Sequence, residues 1–238
     1  MKKTFFFSLV LKWIYIPLMD RRKIMSRFFL LLTIYLFPGC QSDTKEADVQ
    51  SEFEGVIVYT VSTNSNNLEV FSNEELRNNF GDTVTFYYKA GKYRMSFNGK
   101  DLSEAFYFSD KNIEYTLRRG IDTLFYGDCS VNNDELKEVE ERENVDTLLG
   151  LPCDQVRVKG EKYSRTYVYS PTLYLDPVHF KNHVLGFANE YYSRAKAPFL
   201  AYTYEGRVFS THYRAIRIQE KVLQDSLFEL PGLPQKRY

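Results

Sequence analysis

His179 and His183 stand four residues apart in the stretch Asp176-Pro177-Val178-His179-Phe180-Lys181-Asn182-His183. On a helix that spacing puts both imidazoles on one face, as two ligands of a zinc ion require. Asp176 or His212 could add a third. A zinc-activated water also needs a general base, and the position after His179 holds Phe180, where a glutamate would stand. The alternative is a cap at Asp176 with histidines that pack or face solvent. Two histidines do not make a closed site, so no metal is expected, and a metal-dependent hydrolase is the least favoured function.

Cys129 and Cys153 form the second pair. Outside the cytosol they could form a disulfide. A bridge would close about 25 residues and contribute about 3 kcal/mol. The alternative is two separate buried thiols, Cys129 ending one strand and Cys153 starting another. No Ser–His–Asp signature and no glycine-rich phosphate loop appears. No catalytic residue is assigned, no cofactor is implied, and the chain is expected not to be an enzyme.

The aromatic residues offer a different chemistry. Tyr and Phe number 19 each. Phe86, Tyr88, Tyr93, Met95 and Phe97 crowd adjacent candidate strands, and Phe180 and Val184 recur on a candidate helix. Aromatic residues suit strands and pack well across them, which needs no ligand. They could equally line an apolar groove for a lipid or another hydrophobic molecule.

The elements that carry these residues read as mainly β. Phe53, Ile57, Tyr59 and Val61 give a first strand with one strongly apolar face and one mixed face. Ser72 and Glu75 have the capping-box spacing, and Gly81 can end the short helix that follows. Val84-Phe86-Tyr88, Tyr93-Met95-Phe97, Ala105 to Phe108, Ile113-Tyr115-Leu117 and Ile121 to Tyr126 then read as strands, with Asn98-Gly99 a candidate hairpin turn. Connections this short make a meander. Glu135 to Asn144 fits an edge strand or a helix equally. Val156-Val158 and Tyr167-Tyr169 add two more strands, and Asp176-Pro177 starts a helix running to about 192. Phe199 to Ile218 reads as a last hairpin and Asp225 to Pro231 as a terminal turn. The expected fold is a curved antiparallel sheet or half-barrel of roughly nine or ten strands. One or two short helices would cover it.

Ahead of that domain, Arg21, Arg22, Lys23 and Arg27 precede the apolar run Phe28 to Phe37, then Pro38, Gly39 and Cys40, then a polar stretch. Basic, apolar, small and polar is the order of a secretory leader. Ended by a cysteine, it resembles the lipobox of bacterial lipoproteins. That resemblance implies cleavage before Cys40 and a lipid on Cys40, which becomes the first residue. Residues 1–39 then form the leader, with Met19 or Met25 as candidate starts, 40–51 a flexible tether, and 52–238 a single domain. The leader holds seven basic residues and one acid, so a total of 31 of each leaves 24 basic and 30 acidic residues, a net charge of −6. An acidic exported domain has no electrostatic reason to bind nucleic acid.

The domain itself has familiar marks. Leu149-Gly150-Leu151-Pro152-Cys153, Tyr167-Val168-Tyr169-Ser170, Asp176-Pro177 with Phe180 and His183, and Asp225-Ser226-Leu227-Phe228-Glu229-Leu230-Pro231 together resemble an uncharacterised lipoprotein family of the Bacteroidota. That group is similar to the proteins named for a Gly-Leu-Pro-Gly-Leu-Ile motif. The resemblance implies a fold of the LolA and RseB type and an outer-membrane protein anchored through Cys40, facing the periplasm or the cell surface. It implies no catalytic residues. The leading expectation is therefore a lipid-anchored envelope protein with an apolar ligand groove. An accessory subunit of an outer-membrane complex, binding an envelope protein, is the alternative.

Overall fold

The computed structural model describes residues 50–238. The leader, Cys40 and nearly all of the tether lie outside the described residues. Residues 50–238 fall within one compact unit.

That unit is a single open sheet of 12 strands with two short α-helices. In chain order these are β1 (Gly55–Ser65), α1 (Asn73–Phe80), β2 (Thr83–Lys89), β3 (Lys92–Phe97), β4 (Leu102–Phe108), β5 (Ile113–Arg118) and β6 (Leu124–Asp128). There follow β7 (Leu136–Leu148), β8 (Leu151–Gly160), β9 (Ser164–Tyr169), α2 (Ala188–Ala195), β10 (Phe199–Glu205), β11 (Phe209–Glu220) and β12 (Gln235–Arg237). The spatial order is β12-β6-β5-β4-β3-β2-β1-β11-β10-β9-β8-β7, so two meanders meet where β1 pairs β11. All pairs are antiparallel except β12 on β6. The expected architecture holds, with more strands than expected. The charged stretch 135–144 falls largely in an edge strand, β7, and a three-residue strand closes the C-terminus.

Both faces of the sheet are packed, because several strands carry apolar residues on both sides. Ile57, Tyr59, Val84, Phe86, Tyr88 and Tyr93 belong to the larger cluster, where Phe180, Phe187, Tyr191 and Tyr192 cover them. Val56, Val58, Phe106, Phe108, Tyr115 and Leu124 point the other way, under Leu223 and Phe228. The stretch Asp225 to Pro231, which the sequence presents as a terminal turn, packs here together with Leu223. It is tied down by Lys89, whose Nζ donates to Leu223 O at 2.5 Å and pairs with Asp225 at 3.0 Å. Arg94 Nη1 donates to Leu227 O at 3.1 Å.

Helix α1 forms as its sequence dictates. The Ser72 side chain accepts from Glu75 N, and Glu75 Oε2 accepts from Ser72 N at 2.8 Å, which satisfies two of the N–H groups a helix start leaves bare. Asn98-Gly99 is not a two-residue hairpin turn. Pairing resumes only at Ser96 with Glu104, and the loop packs on the end of α1, where Lys100 N donates to Asn78 O at 2.6 Å.

The expected helix over 177–192 is broken into three pieces. Pro177–Phe180 is a 3-10 turn capped by Asp176, which accepts from Val178 N at 2.9 Å. Leu185–Phe187 is a second such turn, and only Ala188–Ala195 is α-helix. The physical reason lies across the chain. Cys129 O accepts from both Val184 N and Leu185 N, at 2.8 and 3.0 Å, which takes those donors out of any continuous helix. Gly186 follows at φ 64°, a left-handed conformation that ends regular α geometry.

Candidate ligand cavity

A cavity of about 300 Å³ lies between the sheet and this broken segment. The sheet contributes Phe86 from β2, Tyr93 and Met95 from β3, Glu114 from β5, Arg165 and Tyr167 from β9, and Tyr202 and Tyr213 from β10 and β11. His183, Leu185, Gly186, Ala188, Tyr191 and Tyr192 close it from the other side. The strand residues are brought together by alternation: positions two apart share a face, so Arg165 and Tyr167 both line the space.

Most of the lining is aromatic, but three polar groups converge among the rings. Tyr93 Oη donates to Glu114 Oε2 at 3.0 Å and stands 3.4 Å from His183 Nε2. Burial pushes the Glu114 carboxyl above the usual carboxylate range, which the Tyr93 hydrogen bond partly offsets. Burial also pushes His183 down to about 4, with the Arg165 charge adding to it, so the imidazole is neutral at pH 7. Its Nδ1 is buried with no partner. Arg165 lies across the cavity wall, with its guanidinium 4.3 Å from the Tyr163 ring and 5.3 Å from the Tyr204 ring. Burial opposes its charge, but a guanidinium is basic enough to stay protonated, and it remains a cation.

The structure divides the residues singled out in the sequence. Phe86, Tyr93 and Met95 do line the cavity. Tyr88 and Phe97 are buried in the core instead, and so is Phe180, stacked on Tyr192 with ring centroids 3.8 Å apart. Val184 is half-buried outside the lining, engaged through its N–H with Cys129 O. Periodicity placed Phe180 and Val184 on a groove-facing helix stripe, and the break in that helix turns both away.

The histidines do not act together. His179 Nε2 is 3.6 Å from Glu52 Oε2, and its ring packs against Gly91, where an added Cβ would meet it at 2.6 Å. His183 turns inward to Tyr93. A 3-10 turn and a bend between them replace the helix that would have aligned the pair. Among the described residues no group of three or more His, Cys, Asp or Glu side chains could hold a metal ion. His179→Ala is expected to lower stability by no more than about 1 kcal/mol, because its contact with Glu52 is partly exposed. Urea denaturation measures this, and elemental analysis of wild-type protein should show no stoichiometric zinc.

The bridge considered between Cys129 and Cys153 is not formed; each is a free, buried thiol. Cys153 Sγ donates to Leu151 O at 3.3 Å, and burial pushes the Cys129 thiol up to about 12, which leaves it a poor nucleophile. Sequence reasoning missed Arg165 and Glu114. For Arg165 a signal existed, since it shares the inward face of β9 with Tyr167 and Tyr169.

A scan against protein-family models finds none that matches this chain, and no curated protein matches it. Two crystal forms of PNGF-II are similar in structure. One aligns with a TM-score of 0.47 at 12% identity, covering 78% of this chain and 32% of that one. The other gives 0.44 at 13% identity, covering 78% and 31%. This chain thus spans about a third of the length of those it resembles, at a distance that carries no argument about its chemistry.

Proposed function

We propose that this chain is a lipid-anchored cell-envelope protein of the outer membrane that holds a small apolar ligand, not an enzyme. One observation carries the ligand reading: an aromatic-walled cavity of about 300 Å³ under the segment from His183 to Tyr192. Ligand sites run from roughly 300 Å³ upward and join apolar walls with a few convergent polar groups. Phe86, Met95 and Phe199 supply apolar wall here, and Tyr93, Glu114 and Arg165 the polar groups. The lipidated Cys40 supports the location, through the lipobox resemblance.

The test is titration of the full chain with a fluorescent fatty acid. Saturable binding in the micromolar range is expected. Ala188→Phe places a ring in the cavity from the first turn of α2, where Ala188 is half-buried. It should weaken binding about tenfold or more, equivalent to about 1.4 kcal/mol. Circular dichroism should stay unchanged. No saturable binding to the wild type would overturn the ligand reading and leave the accessory-subunit reading ahead.

A further inference from the structure

We propose that the ligand is an amphiphile with an oxyanion head and that Arg165 holds the head; this rests on the reading of the cavity as a ligand site. Arg165 is the one Lys or Arg among the residues that line the cavity. None of the ion pairs among the described residues includes it. Its Nε donates to Tyr202 Oη at 3.2 Å, whereas its Nη1 is buried with no acceptor. A guanidinium without a carboxylate and with a bare, buried donor is costly to bury. The rings of Tyr163 and Tyr204 offset part of that by cation–π attraction, but a ring face does not accept an N–H as an oxyanion does.

The backbone keeps room for this guanidinium. A Cβ on Gly186 would lie 2.7 Å from both Cζ and Nη2 of Arg165. The position of Arg165 also sets the ligand's direction. Arg165, Tyr202 and Tyr213 line the inner cavity and also a second depression of about 290 Å³ that continues past Phe80 and Phe209. The cation therefore stands at the junction of an inner aromatic chamber and an outer groove. An apolar tail enters the chamber against Phe86 and Phe199, and the head stays at the junction. Two other acid-base groups line the chamber: Glu114 accepts a hydrogen bond from Tyr93 Oη and His183 is neutral, and among the described residues neither forms an ion pair with Arg165.

Carboxylate and phosphate heads share the required chemistry, and the experiment separates them. The full chain is titrated calorimetrically with dodecanoate, dodecyl phosphate, dodecanol, acetate and inorganic phosphate. One or both of the charged amphiphiles should bind about tenfold more tightly than dodecanol, and the tighter one names the head. Arg165→Gln should abolish that preference and leave dodecanol binding within about twofold. Equal binding of dodecanol and both anions by the wild type overturns the role of Arg165 while leaving the cavity reading intact. So does an anion preference that survives in Arg165→Gln. Acetate or phosphate binding as tightly as its dodecyl form overturns the amphiphile. Failure of every ligand to bind overturns the cavity reading itself. Should Arg165→Gln not fold, the wild-type comparison decides alone.

Discussion

Cys40→Ala is expected to move the protein from the membrane fraction to the soluble fraction. Each buried CH₂ of an acyl chain contributes about 0.8 kcal/mol, so two or more chains hold a protein far more firmly than any contact a globular domain makes with lipid. Residues 40–238 give little else to hold with. Their net charge of −6 is repelled by anionic lipid, and among the described residues no helix is long and apolar enough to cross a membrane. The run Phe28 to Phe37 is ten residues, against the roughly 20 a spanning helix needs, so it would be a weak substitute if retained. Fractionation after a high-salt wash reads the effect, and palmitate labelling should mark the wild type alone. A variant that still sediments with membranes would show that Cys40 is not the anchor.

The parts of the fold legible in the sequence were those decided locally. Ser72 and Glu75 form their capping box within four consecutive residues, and the alternation in β2 and β3 needs only a pleat and a buried face. What depended on distant partners was hidden. The helix expected from Phe180, Val184, Phe187 and Tyr191 is broken by a carbonyl 55 residues earlier, that of Cys129. In β5 the apolar residues Ile113, Tyr115 and Leu117 pack toward the C-terminal segment, on the face away from the cavity. Glu114 therefore points where an apolar residue would be expected. Its place there follows from two packed faces, which a single alternating strand does not reveal. Arg165 looked like an ordinary strand residue because only one of the rings that cage it, Tyr163, is its near neighbour in sequence, while Tyr204 comes from β10.

His183 should make the protein acid-labile. In the unfolded chain its imidazole titrates near 6.5, and in the folded protein near 4, because burial penalises the charged form. Between those values the unfolded state binds the extra proton and the folded state does not. Stability therefore falls as pH drops through that window. A shift of that size corresponds to about 3 kcal/mol over the whole window, at about 1.4 kcal/mol per pH unit. The residue is 4% exposed, so solvent screening takes little from this figure. Glu114 acts in the opposite sense. Its folded value is raised, so its contribution is fully present below the unfolded carboxylate range and is lost as pH rises through the folded value. The two groups share Tyr93, so each must be tested against the other. Arg165 adds to the His183 effect, and Tyr107, its ring centroid 4.5 Å away, adds no charge at these pH values. Urea unfolding of the wild type, His183→Gln and Glu114→Gln at pH 7 and pH 4.5 separates the contributions. His183→Gln should lower stability at pH 7 but lose about 2 to 3 kcal/mol less than the wild type on acidification. Glu114→Gln should lose more than the wild type, since the compensating group is gone. An acid response in His183→Gln equal to that of the wild type would mean that the imidazole is solvated, and that the cavity is more open to water than its aromatic walls imply.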